Sequence, residues 1–308
     1  MEHFKNISRS LEVEVNNALQ EQASHGTPTL PMAIYIDEFS KYSVPVIQHH
    51  WHKEIQLAYV LEGSVEYELY GEKILLHKGD GLFINSNILH MSTSFVPENT
   101  QMVTILFDQT VLSGINQIEI EKKYVLPVTN CKELPYYVLT DDIPWKKEIL
   151  KNIKKIIYAE DEKNFGYELE QKNTLGEIWL ILLRNLKHIF EHNTASVISA
   201  DESRIKIMLK FIHENYKKNI SLDDIASSAS LSKSECCRCF KRSLNVSPFE
   251  YLIQNRVLVS AKLLVSTDKS ISSISEEVGF NGLSYFYKTF KSIMKMTPAQ
   301  FREKEKMS

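Results

Sequence analysis

The chain is poor in cysteine. It holds four in 308 residues, and three of them (Cys236, Cys237 and Cys239) fall within four consecutive positions. Cysteines so close on one expected helix cannot build a spaced disulfide framework, which points to a reducing compartment. Long apolar runs are missing as well. The most apolar short stretch, Ile178 to Leu183, is far below the roughly twenty residues that span a bilayer. The opening MEHFKNISRSLEVEV has no apolar core of signal-peptide length. A soluble, cytoplasmic chain with no membrane partner is therefore expected. No phosphate-binding glycine loop and no Ser/His/Asp grouping is found, so no catalytic residue is assigned.

A large net charge is also lacking: 36 Lys and Arg stand against 39 Asp and Glu, giving −3. The balance hides an asymmetry. From Ser203 to Ser308 there are 18 basic and 10 acidic residues, a surplus of +8, and the rest carries 18 against 29, or −11. An acidic body joined to a basic tail suits a tail that binds an anionic partner.

Two kinds of periodicity divide the chain. From about Tyr35 to Phe107, short runs rich in β-branched and aromatic residues (QLAYVLEG, VEYELYGEKILL, MVTILF) alternate with turns at Glu62-Gly63, Tyr70-Gly71 and Lys78-Gly79-Asp80. Short strands at regular spacing predict a sandwich or small barrel. After Pro144 the period becomes helical, through Trp145, Ile149, Ile153, Ile156 and Ile157, then Leu169 to Ile189. These helices either hold the domains together or pair with another subunit, or else pack into the chain's own core. His192 to Ser203 is polar and rich in small residues, as a linker would be. Everything after it reads as helix. The expected domains are an N-terminal segment (1–30), a β-domain (31–128), a helical linker (129–200) and an all-α domain (201–308).

The tail contains a repeat. Ile220 to Leu252 and Ser270 to Arg302 each read as helix, tight turn, helix, with units at about 221–244 and 271–294. Phe240, Lys241, Ser247, Pro248 and Tyr251 correspond to Phe290, Lys291, Thr297, Pro298 and Phe301 at an offset of 50. Two helix-turn-helix units imply two recognition helices and a bipartite DNA site. Ser221 and Asp224 form a capping-box-like start, and Ser232 caps the second helix of the first unit. Cys236, Cys239 and Phe240 then face inward, leaving Lys233, Ser234, Cys237, Arg238 and Lys241 outward. In the second unit Phe286 and Phe290 face inward, Gly279 supplies a positive φ, and Leu283, Ser284, Tyr287 and Lys288 face outward. Arg238 suits a guanine edge, with pairing to Glu235 as its alternative. Lys241, Arg242, Lys288 and Lys291 suit phosphates.

The run SISSISEEVGFNGLSYFYKTFKSIMKMTPAQFR resembles the signature region of AraC/XylS-type transcriptional regulators. The first unit matches less closely, with Cys236 and Cys239 where that family usually has an apolar residue such as Leu. The resemblance implies seven helices, the fourth linking two subdomains. It implies Ser234, Cys237 and Arg238 as base readers in one helix, and Leu283, Ser284, Tyr287 and Lys288 in the other. It also implies Arg256 as a backbone-contacting or structural arginine. The region HHWHKEIQLAYVLEGSVEYELYGEKILLHKGDGLFINSNILH resembles the cupin sensor domains that accompany such tails. His50 and His52, two apart, share a strand face. Metal-binding cupins have Glu where this chain has Gln56, and His90 closes the second motif. Loss of that carboxylate removes a charged ligand, so His50, His52, Gln56 and His90 are read as an organic-ligand pocket with no metal and no cofactor. Strand parity places Trp51 outside it, and His49 is expected at the surface, pointing the other way.

The expected architecture is multidomain α+β: a cupin or jelly-roll β-barrel, a helical linker and a double helix-turn-helix domain. The expected function is a sequence-specific transcriptional regulator, more an activator than a repressor, sensing a sugar or similar polar metabolite. Its expected partners are promoter DNA, a small-molecule effector, RNA polymerase and a second copy of the chain. The competing readings are a metal-dependent cupin enzyme fused to a DNA-binding module, and a regulator without a ligand.

Overall fold

The computed structural model describes residues 4–10, 13–16, 19–27, 29–42, 44–114, 118–190 and 200–307. Most of the expected linker at 192–203 lies outside them.

Ten strands form the N-terminal half: β1 (Ser8–Arg9), β2 (Met32–Glu38), β3 (Val46–His50), β4 (Ile55–Glu62), β5 (Ser64–Leu69), β6 (Glu72–His77), β7 (Gly81–Ile84), β8 (His90–Thr93), β9 (Gln101–Phe107) and β10 (Tyr136–Leu139). They make a six-stranded sheet, β1-β2-β9-β4-β7-β10, and a four-stranded sheet, β3-β8-β5-β6. The alternation in β5 buries Val65, Tyr67 and Leu69 and turns Ser64, Glu66 and Glu68 the other way, as a strand with one core face requires. Those residues pack between the sheets with Ala58, Val60, Leu82, Ile84 and Met102. β4 lacks that alternation because both its faces are covered. Ile55, Leu57 and Tyr59 point to a second core with Ile149, Ile153, Leu175, Ile178 and Leu182.

That second core is supplied by two antiparallel helices. After the short turns α1 (Thr110–Ser113), α2 (Ile118–Ile120) and α3 (Leu126–Thr129) come α4 (Pro144–Glu162) and α5 (Tyr167–Phe190). Pro144 begins α4 and Lys163, in the left-handed region, ends it. The predicted helix pair is therefore present, with one departure. β10 lies within the stretch expected to be helical linker and pairs with β7 from Tyr136↔Ile84 to Leu139↔Gly81. A four-residue strand at a sheet edge carries too little periodicity to show in sequence.

The basic tail forms seven helices: α6 (Ala200–Asn215), α7 (Leu222–Ser228), α8 (Lys233–Leu244), α9 (Pro248–Ser266), α10 (Ile271–Glu277), α11 (Leu283–Met294) and α12 (Pro298–Met307). The helix-turn-helix pairs are α7–α8 and α10–α11. Ser221 and Asp224 close a capping box, and Ser232 accepts from the Glu235 amide. Gly279 takes φ +89°; a Cβ there would lie 2.7 Å from the Tyr216 carbonyl oxygen, so only glycine fits. No helix among the described residues is long and apolar enough to cross a membrane.

The two halves meet on the outer side of the four-stranded sheet. The first helix-turn-helix unit packs with Leu19 and Leu89, flanked by Val15 and Trp51. Lys206 of α6 sits 4.2 Å above the Trp51 ring and donates to the Asn87 carbonyl at 2.8 Å. The β5–β6 turn runs so close to the end of α8 that a Cβ on Gly71 would meet the Asn245 nitrogen at 2.7 Å. Val44 and Val46 join the core of the second unit. The sequence suggested α4 and α5 as the route between domains. They lie instead against the six-stranded sheet, and direct packing runs through the N-terminal segment and the opposite sheet.

Candidate functional site

A cavity of about 460 Å³ opens between the two sheets, with His50, His52, Gln56 and His90 all on its wall. The sequence placed these four together, and strand parity explains it. β3 sends His50 inward and His49 outward, and His90 opens β8 directly opposite His50. All four are buried. Trp51 lies outside the cavity, as its parity requires.

The three imidazoles are oriented by the backbone. Nδ1 of His50 lies 2.8 Å from the Gln48 carbonyl, Nδ1 of His52 lies 3.0 Å from that of Glu54, and Nδ1 of His90 lies 2.9 Å from that of Ile88. A carbonyl only accepts, so each Nδ1 carries the hydrogen and each Nε2 keeps its lone pair. Burial pushes the His50 pKa down to about 4, with the field of His52 adding to it. Burial likewise lowers His52 and His90. The rings are therefore neutral at neutral pH. One nitrogen from each lies within 4.8 Å of the others, so the three rings converge on the cavity. This donor set fits a borderline divalent metal, for which neutral imidazole is a good ligand. Carbonyl-anchored Nδ1 groups are the usual outer support of such ligands.

Gln56 joins the group from β4. His52 Nε2 and Gln56 Oε1 are 3.1 Å apart, and Gln56 Nε2 is 3.1 Å from the Tyr67 hydroxyl. With Nδ1 protonated, His52 Nε2 needs a donor. The flipped amide satisfies every group: Gln56 donates to His52, and Tyr67 donates to Gln56.

The pocket contains residues that sequence reasoning missed. Glu21 and His25, from the N-terminal segment, line it beside Tyr35, Tyr67, Ser92 and Thr104. Glu21 Oε2 lies 3.3 Å from His25 Nε2. Burial acts to raise the Glu21 pKa, but the bond to His25 and the fields of His50, His25 and His52 outweigh it. The carboxyl settles below its usual value. No local pattern announces Glu21; only its pairing with Trp51 brings it to the pocket. Tyr67 and Ser92 do alternate correctly along β5 and β8 and could have been found by parity.

The candidate DNA surface has a different character. Lys233, Ser234, Arg238 and Lys241 on α8 are exposed, as are Leu283, Ser284, Lys288 and Lys291 on α11, and Cys237 is half-buried. Each recognition helix thus presents the expected outward set, with two corrections. Arg256 is buried, donating from Nε to the Tyr216 carbonyl and from a terminal nitrogen to the Lys218 carbonyl, both at 2.8 Å. This guanidinium is committed to the segment before α7, an arrangement that fits the structural one of the two roles the resemblance implied. Tyr287 is half-buried and packs against the core of the second unit. Tyr285, 55% exposed, is the open aromatic of that helix.

Arg238 bonds Glu235 Oε2 through Nε at 2.8 Å, the pairing that the sequence offered as its alternative. Arg242 bridges Asp201 and Glu235 at 2.8 and 2.7 Å. Exposed pairs of this kind are weak and exchangeable. Cys236 and Cys239 are buried, and burial pushes their thiols up to about 12 and about 11. Protonated thiols in a core act as small apolar residues. His49, expected at the surface, is instead buried between the halves. Its ring centroid lies 5.6 Å from that of Tyr251 of α9.

Comparison with known proteins agrees with both parts. Residues 225–304 match the family described as a helix-turn-helix domain, and residues 43–105 match the cupin domain family. The chain is 35% identical over 289 residues to an uncharacterised HTH-type transcriptional regulator, YdeC, of Bacillus subtilis (strain 168). That alignment covers 94% of this chain and 97% of the relative. It is 26% identical to the melibiose operon regulatory protein of Escherichia coli (strain K12), over 82% of this chain and 83% of that one. The lactose operon transcription activator of Staphylococcus xylosus is 34% identical, over 50% of this chain and 54% of its own length.

Proposed function

Because the chain belongs to the AraC-type helix-turn-helix transcriptional regulators, we propose that α8 and α11 read two adjacent segments of one promoter and that the cavity binds an effector controlling them. The observation that carries this is the pair of helix-turn-helix units, each turning a polar, basic face to solvent. Two such helices on one DNA face read successive major grooves about 34 Å apart. Arg238 reads a base edge; Lys241, Lys288 and Lys291 hold phosphates. The protein acts in the cytoplasm, where it meets promoter DNA and RNA polymerase.

A sugar or similar polyhydroxyl metabolite suits a cavity walled by imidazoles, an amide, tyrosines and hydroxyls. Two relatives named for melibiose and lactose operons support that class, and the second, named as an activator, supports activation here. The effector works only through different affinity for two states of the protein. The packing of Leu19 and Trp51 on the first unit offers a path for that difference. A homodimer forms through α5, where Leu169 and Leu180 are exposed, and light scattering on the purified chain checks it.

Selection from random oligonucleotides with the full-length protein tests the DNA reading. The expected result is a site with two conserved boxes one helical turn apart. Arg238→Ala relaxes one base position, whereas Lys291→Ala weakens all sequences alike and lowers the salt slope by about 0.9. Recovery of no preferred sequence at low salt would overturn the assignment.

A further inference from the structure

We propose that the effector of the β-domain cavity carries a protonated amine and that the Glu21 carboxylate, from the N-terminal segment, is its anchor. This deepens the effector reading of the cavity and rests on it. Within the polyhydroxyl class it selects amino sugars over neutral sugars and excludes sugar phosphates and sugar acids.

A cavity of about 460 Å³ is of the size that holds a small organic ligand. Two carboxylates of its wall lie deep, and the protein treats them differently. Asp37 is closed off: Tyr42 donates to one of its oxygens at 2.6 Å and Thr104 to the other at 2.5 Å. Glu21, whose side chain is 9% exposed, has one recorded side-chain partner, His25 Nε2 at 3.3 Å. Main-chain pairing fixes Glu21 at the wall. Its amide donates to the Trp51 carbonyl at 3.0 Å, while the Trp51 amide donates to the Leu19 carbonyl at 2.9 Å. Trp51 separates His50 from His52, so the open carboxylate is tied to the segment that carries two of the wall imidazoles.

A carboxylate so deep requires a cation or several donors. The wall offers no free cation. Among the described residues that line the cavity, Arg9 is the one lysine or arginine. Its guanidinium is spent on Glu38 at 2.5 Å and on the Ile7 and Phe4 carbonyls at 3.0 and 2.8 Å. Burial keeps His50, His52 and His90 neutral. Glu14, exposed at the rim, adds further negative charge. Burial and then the field of Glu21 raise the pKa of the Tyr35 hydroxyl on the same wall. A phosphate or carboxylate on the ligand would set a like charge beside Glu21. A neutral sugar would leave Glu21 without a counter-charge. An ammonium satisfies it through a charge-assisted hydrogen bond, and the imidazoles, Gln56, Tyr67 and Ser92 remain for the ligand's hydroxyls.

The test compares matched sugars by thermal shift and calorimetry on full-length, chelator-treated protein at about pH 7, where such amines are mostly protonated. The probes are glucose, glucosamine, glucose 6-phosphate and glucuronate, with the galactose set alongside. A hexosamine should bind about tenfold tighter than its hexose, and the phosphates and uronates should give no shift. Glu21→Gln should erase the preference for the amine with an unchanged circular dichroism spectrum. Asp37→Asn, at the carboxylate already closed off, should retain it. A hexosamine bound no tighter than its hexose, a shift produced by a phosphate or uronate, or an amine preference that survives Glu21→Gln would each overturn the proposal. Neutral sugars that bind with no gain from the amine sink this inference alone and leave the sugar reading standing. No shift from any member of either set sinks the sugar reading and this inference with it.

Discussion

The two helix-turn-helix units share a fold and differ in what surrounds their recognition helices. In α8 the cations are already engaged. Lys233 faces Asp223, Arg238 holds Glu235, and Arg242 bridges Glu235 and Asp201. In α11, among the described residues, no ion pair is recorded for Lys288 or Lys291. Their cores differ too. At the offset of 50, Cys236 of the first unit corresponds to Phe286 of the second, and both are fully buried. Phe286 packs among Phe280 and Phe290, and Phe290 against Phe301. The second unit therefore rests on a large aromatic core and presents open charge. The first has smaller core residues and must exchange internal pairs for phosphates when it meets DNA.

The largest expected effect follows from the cores. Phe286→Ala should destabilise the second unit by about 3–5 kcal/mol, the usual cost of emptying a buried aromatic site. Cys236→Ala removes one small group and should cost about 1 kcal/mol, near the value of one buried methylene. Denaturant melts of the full chain measure both. Equal losses would show that the two cores are equivalent despite their composition.

Next in size is the pH dependence of the contact between the β-domain and the first unit. His49 of β3 meets Tyr251 of α9, whose hydroxyl lies 3.0 Å from His213 of α6, and Glu68 of β5 stands 3.8 Å from His49. Burial lowers the His49 pKa to about 3 and that of His213 to about 4, from 6.5. The exposed or unfolded forms therefore take up protons first as pH drops. The contact is at full strength above pH 6.5 and weakens toward pH 4, at up to about 1.4 kcal/mol per pH unit for each histidine. Heating scans from pH 7.5 to 5 should show the first unit losing stability before the second. His49→Phe should flatten the trend, and a trend unchanged by that substitution would remove His49 as its source.

What could be read in advance divides along the same lines. The recognition helices were legible because capping, periodicity and the repeat are local: Ser221, Ser232 and Gly279 announce themselves within a few positions. The alternation that put His50 and His90 on one wall is equally local. Glu21, His49 and β10 were not legible, since each owes its place to a partner far away in the chain. Glu21 depends on Trp51, His49 on Tyr251, and β10 on β7. Arg256 shows the converse. The resemblance left open a backbone contact or a structural role, and the burial of its guanidinium against two carbonyls became visible only in the fold. Arg302 performs the parallel task before α10, donating to Leu264 and Lys269.

The smallest expected effect isolates the charge difference between the recognition helices. Glu235 accepts from both Arg238 and Arg242, and these bonds hold its carboxyl below the usual range. Binding DNA through Arg238 requires giving up that acceptor. Glu235→Gln keeps the size of the side chain and the helix intact while removing the negative charge. It should tighten DNA binding a few-fold and make the salt dependence steeper, because Arg238 becomes available to DNA while Arg242 keeps its bond to Asp201. The corresponding position in α11 is Tyr285, which carries no charge, so Tyr285→Phe should leave the salt slope unchanged. Fluorescence anisotropy at several salt concentrations reads both variants. If Glu235→Gln left affinity and slope as they were, the arginines of α8 would not be limited by their internal pairs, and the two helices would approach DNA equally prepared.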